Sequence, residues 1–225
     1  MDTAVELLID CSGSMSGDKI KVACHAAYVL SQTLERLGIV HAIDGFTTHG
    51  DAPDQLWYDI RDEMTKLGRD FSRIEPIRIY RFKKFEERLT HPVKQRLIGA
   101  GGTGGGRYGG GSFHSQLQMA SNIDGESLLR VGRELLKRRE PRKIMMVLSD
   151  GYPAGAGVNI DLRDHLKFAV RELERLKVET VGIGICDDAV KAFYPKNTVI
   201  HSVDDLPKAV MGELKRFLID NKQVV

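Results

Sequence analysis

Asp10, Ser12 and Ser14 stand two residues apart in the stretch Asp10-Cys11-Ser12-Gly13-Ser14-Met15. One carboxylate and two hydroxyls at that spacing form an arc of hard oxygen donors, the type that suits a divalent cation such as magnesium. A second carboxylate must come from elsewhere, and Asp150 offers one. The run Lys143-Ile144-Met145-Met146-Val147-Leu148-Ser149-Asp150-Gly151 is an apolar strand pattern that ends in an acid and a glycine, as does Ala4-Val5-Glu6-Leu7-Leu8-Ile9 before Asp10. Taken singly, each residue has a plainer role. Ser12 and Ser14 can cap a helix, and Asp10 and Asp150 can serve as turn residues in strand-to-helix loops. The expectation of a metal site rests on their combination.

The elements that must position these residues follow from hydrophobic period. Ile20, Cys24, Ala27, Leu30, Leu34 and Leu37 recur at helical spacing after the first strand, and Gly38 stops that helix. Residues 39–46 read as a second strand and 76–82 as a third. Residues 126–139 read as a helix that ends before Pro141, 143–148 as a strand, Leu162 to Leu176 as a helix and 178–185 as a strand. A short strand near 198–203 and a closing helix over about 205–220 complete the pattern. Strands alternating with amphipathic helices predict an α/β fold with a Rossmann-like, parallel-rich sheet and helices on both faces, in one domain over 1–225. Ligand sites in such sheets lie beyond the carboxyl ends of strands, where strand order reverses. Asp10 and Asp150 both occupy strand ends, so they are expected to meet around one ion despite the 140 residues between them.

The Asp-x-Ser-x-Ser and Ser-Asp-Gly motifs resemble the metal-ion-dependent adhesion site (MIDAS) of a von Willebrand factor A (VWA) domain. Leu7-Leu8-Ile9-Asp10, Gly45-Phe46-Thr47-Thr48, Asn122-Ile123-Asp124-Gly125-Glu126, the strand through Ser149-Asp150-Gly151 and Gly182-Ile183-Gly184-Ile185 together resemble the C-terminal A domain of the cobaltochelatase CobT subunit. That resemblance spans about Val5 to Leu218. It implies Asp10 and Asp150 binding Mg2+ or another divalent cation directly or through water, beside Ser12 and Ser14. It also implies a third element, a threonine, for which alignment on Gly125 substitutes Asn122. Asp124 lies two residues later, and either Asn122, through its carbonyl oxygen, or Asp124, through water or as a helix cap, can complete the set. Thr103 is a less favoured substitute. With few negative charges around it the ion would seek an external Asp or Glu, aided by the positive end of the first helix near Gly17 and Asp18.

By the same resemblance the chain is a non-catalytic adaptor that docks with a CobS-like AAA+ ATPase, in a system where a CobN-like subunit inserts cobalt during cobalamin biosynthesis. The alternatives are a stand-alone VWA adaptor of an unrelated AAA+ ATPase and a nucleic-acid-binding protein that uses the basic segment over residues 69–107. CobT-type subunits carry long segments before the A domain, whereas here the first strand starts close to Met1, which fits a stand-alone version or a part of something longer.

Composition bounds other classes. The 225 residues carry a formal net charge of +2, and no apolar run approaches the roughly 20 residues of a membrane span. Cys11, Cys24 and Cys186 have no metal-ligand spacing and are odd in number, which with the absence of a signal-peptide pattern gives a cytoplasmic expectation. No Gly-Lys-Ser or Gly-Lys-Thr phosphate loop is present, and Ser12 stands where a phosphotransferase of the haloacid dehalogenase type needs a second acid, so the chain alone is not expected to be catalytic. None of the seven histidines forms a zinc-type pair. Residues 69–107 hold ten Lys or Arg against four Asp or Glu, with interleaved aromatics, the pattern of single-strand nucleic-acid binding or of an acidic protein partner. The glycine tract Gly99 to Gly111 spells a dinucleotide fingerprint at its start but lacks the helix that should follow. It is expected to form a loop near the metal face.

Overall fold

Apolar runs buried on both faces belong in the middle of a parallel sheet, and three of them occupy that place. The structure is a computed structural model and describes residues 2–49, 58–59, 62–63, 65–68, 75–101, 117–155, 161–202 and 205. Its elements are β1 (Thr3–Asp10), α1 (Asp18–Arg36), β2 (Val40–Thr48), β3 (Ile77–Lys83), α2 (His91–Gly101), α3 (Asp124–Leu136), β4 (Arg142–Ser149), α4 (Leu162–Arg175), β5 (Val178–Ile185) and β6 (Lys196–Ile200). The six strands form one sheet in the order β3-β2-β1-β4-β5-β6. All neighbours are parallel except β3, which runs antiparallel to β2 at the edge. Mixed α/β architecture with a mostly parallel sheet is therefore what the alternating pattern produces.

Period-2 alternation along β1 divides the core. Val5, Leu7 and Ile9 pack with Ile20, Cys24, Ala27, Leu30 and Leu34 of α1, while Ala4 and Leu8 pack with Leu128, Val131 and Leu135 of α3 and Leu166, Val170 and Leu173 of α4. Helix α1 ends as its glycine requires. Gly38 takes φ +68°, a left-handed conformation, and the Gly38 and Ile39 N–H groups donate back to Glu35 and Leu34 carbonyls. In Gly182-Ile183-Gly184-Ile185 both glycines answer close approaches: a Cβ on Gly182 would lie 2.5 Å from the Tyr194 ring, and one on Gly184 would lie 2.1 Å from the Asp187 carbonyl oxygen.

Helix α2 is an element that the periodic pattern did not predict. Among its described residues Val93 and Leu97, one turn apart, supply the buried apolar stripe, against α1. The surrounding basic and glycine-rich composition conceals so short a signal. The helix also runs into the first residues of the tract expected to be a loop, Gly99 to Gly101. Residues 102–116 and the closing helix expected beyond 205 lie outside the described residues.

Several cations of the basic segment are engaged inside the fold. Arg81 grips the buried Asp44 through two hydrogen bonds, 2.8 and 2.7 Å. Lys83 is buried and donates to the His41 carbonyl at 2.6 Å, and Arg96 binds the Phe82 carbonyl and Glu87. Phe82 is a core side chain and Phe85 lies under the Arg138 guanidinium.

His41 joins α1 to β2. Its Nδ1 donates to the Ile39 carbonyl at 3.0 Å, and its Nε2 lies 2.7 Å from the Ser31 hydroxyl, which donates to it when the ring is neutral. Burial, then the charge of Lys83, pushes its pKa from 6.5 down to about 4. Between those values the unfolded chain takes up a proton that the native ring refuses, so stability is lost as pH falls through this window. The wild type should lose about 3 kcal/mol more than a His41→Gln variant between about pH 7 and about pH 4 in urea unfolding; parallel losses would contradict this. Gly184→Ala should cost about 2–3 kcal/mol in the same assay, because the added methyl meets backbone that cannot step aside.

Candidate metal centre

Neighbouring β1 and β4 connect to helices on opposite faces of the sheet, so a crevice opens at their carboxyl ends. Asp10 is the last residue of β1 and Asp150 follows the last residue of β4. Beyond β1 the backbone stays in register for one more bond, Cys11 N–H to the Phe46 carbonyl at 2.8 Å, and then turns through a 3-10 turn at Gly13–Met15. That turn brings the two serines over the end of β4.

A continuous chain of hydrogen bonds results. Ser149 Oγ donates to Asp10 Oδ2 at 2.8 Å, and the Ser12 N–H donates to Asp10 Oδ1 at 2.8 Å. Ser14 Oγ donates to Asp150 Oδ1 at 2.8 Å. A hydroxyl has one hydrogen, so across the 3.1 Å Ser12–Ser14 contact the donor is Ser12. Lys19 Nζ closes the chain on Asp150 Oδ2 at 2.5 Å. Neither serine caps a helix: Ser12 makes no side-chain cap bond to the 3-10 turn, and α1 begins after Gly17. Asp10, Ser12, Ser14 and Asp150 thus converge, and their oxygens face one another across the β1–β4 junction.

Asn122 and Asp124 reach the same end of the sheet by a different route. Gly13 N–H donates to the Ala120 carbonyl, Thr47 Oγ1 accepts from Ala120 N–H and donates to the Ser121 carbonyl, and Thr48 Oγ1 accepts from Ser121 N–H. These bonds draw residues 120–122 across the ends of β1 and β2. Gly45, two residues before Thr47 on β2, has no room for a side chain, since a Cβ there would lie 2.8 Å from Cys11 Sγ and 2.7 Å from the Phe82 ring.

The two candidates for the third element then part ways. Asn122 forms a bridge with Ala154, its Oδ1 accepts from Ala154 N–H at 3.1 Å and its Nδ2 donates to the Tyr152 carbonyl at 3.1 Å. Its polar atoms tie the 120s loop to the loop after β4. Asp124, the first residue of α3, is buried, and its Oδ2 has no hydrogen-bond partner. Burial, then the negative charge of Asp10, drives its pKa well above the usual carboxylate range, against the opposing influence of its own backbone N–H and the Asn122 side chain. Burial likewise raises Asp10, to about 6, despite its hydrogen bonds to Ser12 and Ser149. Tyr194, whose buried hydroxyl also has no partner, feels the charges of both acids. Thr103 lies outside the described residues.

The donors present fit a hard divalent cation. A buried carboxylate oxygen without a partner is costly unless a proton or a cation sits beside it. Every candidate ligand converging here, Asp10, Ser12, Ser14, Asp124 and Asp150, offers oxygen, which favours magnesium over softer metals. Among the described residues no three His, Cys, Asp or Glu side chains cluster closely enough to cage a metal by themselves, so such a site depends on the serine hydroxyls. Ser149, Lys19, Thr47 and Thr48 also shape the centre without having been singled out by their chemistry. Ser149, Thr47 and Thr48 lie inside motifs that carried the family resemblance, whereas Lys19 had no signal beyond its place in the first turn of α1. Replacing Asp124 by Asn should stabilise the protein in EDTA at about pH 8 by about 1–3 kcal/mol in urea unfolding, and remove most of the stabilisation that Mg2+ confers. A less stable variant in EDTA would show that the carboxylate is already paired.

Comparison with known proteins speaks to fold and family. The chain is 24% identical over 228 residues to the uncharacterized protein YojO of Bacillus subtilis (strain 168), covering 97% of this chain and 30% of that one. It thus spans under a third of the length of that relative. Among solved structures it resembles the PilB minor pilin of Streptococcus sanguinis, with TM-score 0.61 and 12% identity over 97% of this chain and 61% of that chain. It also resembles the pilus adhesin SpaC of Lactobacillus rhamnosus GG, with TM-score 0.59 and 13% identity over 97% and 30% of the two chains. At such identities these likenesses concern fold alone. The family described as the VWA domain of cobalamin biosynthesis protein CobT matches residues 1–220, and the chain belongs to that family.

Proposed function

We propose that this chain is a metal-dependent docking module, in which Asp10, Ser12, Ser14, Asp124 and Asp150 hold Mg2+ and the ion accepts an Asp or Glu side chain from a partner. The observation that carries this reading is the hydrogen-bonded chain from Ser149 to Lys19 with the unpartnered Asp124 oxygen beside it. When bound, the ion supplies a Lewis-acidic point for an external carboxylate. The protein's own residues do the rest. Ser149 and the Ser12 N–H orient Asp10, Ser14 orients Asp150, and Asn122, held by the loop after β4, supports Asp124 rather than ligating. The N-terminal end of α1 adds positive potential toward an approaching acid.

Family membership supports a chelatase-type context. The partner proposed is a CobS-like AAA+ ATPase, with this chain relaying nucleotide-driven motion to a CobN-like subunit during cobalt insertion in cobalamin biosynthesis. No helix among the described residues is long and apolar enough to cross a membrane. Purified chain and the CobS-like ATPase of the same organism should co-elute with Mg2+ and separate in EDTA, and Asp10→Ala should weaken the complex at least about tenfold, the scale of one lost charge-assisted contact. Equal binding with and without chelator would dismiss metal-mediated docking. Binding instead to an AAA+ ATPase from outside cobalamin synthesis would keep the docking mechanism and discard the cobalt role.

A further inference from the structure

Lys19 stands apart from the other members of the hydrogen-bonded chain because it is a cation. Its Nζ lies 2.5 Å from Asp150 Oδ2, and its side chain is 37% exposed while that of Asp150 is 1% exposed. Ser14 holds the other oxygen of the same carboxylate, so both Asp150 oxygens already have intramolecular donors. The proposed site draws on three carboxylates, those of Asp10, Asp124 and Asp150. With Lys19 counted, their formal charge equals and opposes that of one divalent ion.

We propose that Lys19 sets the charge of the metal centre: its ammonium offsets Asp150, loosens the grip on the ion, and leaves the loaded site neutral enough to receive an external carboxylate. This rests on the metal-dependent docking reading and adds a residue that tunes it. Without Lys19, a free Asp150 oxygen and one uncompensated negative charge would hold the ion harder, and the loaded site would repel an incoming acid. Metal affinity and carboxylate affinity should therefore move in opposite directions on removing a single side chain. A purely structural lysine would not produce that pair of signs. Lys21 gives an internal control, since it lies two residues along the same helix and pairs with the exposed Asp18 instead.

The test uses the full chain at about 0.15 M salt, where charges more than about 8 Å apart are largely screened. Free Mn2+ is followed by electron paramagnetic resonance, and acetate is titrated into the Mn2+-loaded protein while water-proton relaxation reports displacement of metal-bound water. Lys19→Met should bind Mn2+ on the order of tenfold more tightly than wild type and require on the order of tenfold more acetate for half-displacement, the scale expected for one unit charge close to the ion. Lys21→Met should stay within about twofold of wild type in both, because exposed pairs contribute little. Unchanged or weaker Mn2+ binding by Lys19→Met, an unchanged acetate requirement, or equal effects at Lys21 would each overturn the proposal. If wild type takes up Mn2+ and Asp10→Ala does not, such a failure concerns Lys19 alone; if wild type takes up none, the docking reading falls together with it.

Discussion

A carboxylate buried at the end of a central parallel strand has lost its water and must be repaid by donors or by a cation, and Asp10 is in that position. Two donors reach it, one from its own turn and one from the neighbouring strand. They orient the carboxylate without restoring the usual carboxylate pKa, because burial outweighs them. Asp124 is in a worse position, with one oxygen unpartnered and a second acid beside it. Acids buried together at a strand-end crevice disfavour the folded chain by themselves and favour whatever positive charge joins them. Local conflict of that kind, supported by a consistent surrounding fold, marks functional sites more often than accidents of packing.

The surrounding fold is built to hold the conflict in place. The β1–β4 pairing fixes the relative height of Asp10 and Ser149, and the β1–β2 pairing presents Thr47 and Thr48 to the loop that delivers Asp124. Asn122 fastens that loop to the one after β4, so three separate chain segments share a single rigid crevice. Gly45 permits the close layering of Cys11 and Phe82 beneath it. Positioning therefore comes from backbone pairing and short polar links, and little of it depends on long flexible side chains.

Charge is handled locally elsewhere too. Arg81 and Lys83, which contribute to the apparent basic stripe in the sequence, serve a buried acid and a buried carbonyl near the β2–β3 edge. A count of cations along the chain cannot separate such interior work from a surface that binds polyanions. Helix α2 shows the same limit for apolar pattern, since two buried residues one turn apart suffice once α1 supplies the other side of the contact.

Legibility in the sequence tracked the range of the interaction. Strand and helix types follow from periods of two and 3.6 residues, and a long helix such as α1, with its glycine stop, is written within a few turns of chain. The oxygen-rich ends of β1 and β4, and with them the α/β fold and the candidate centre, were determined by the sequence itself. Tertiary structure alone decided that Asn122 faces Tyr152 and Ala154 while Asp124 is left with an unpartnered oxygen, and that Ser149 and Lys19 join the centre. Lys19 and Asp150 are 131 positions apart and Ser149 and Asp10 139, while Asn122 lies 30 and 32 positions from Tyr152 and Ala154. No local propensity encodes them: they exist because parallel pairing sets two distant strand ends side by side, and burial there makes each polar atom's partner a matter of free energy.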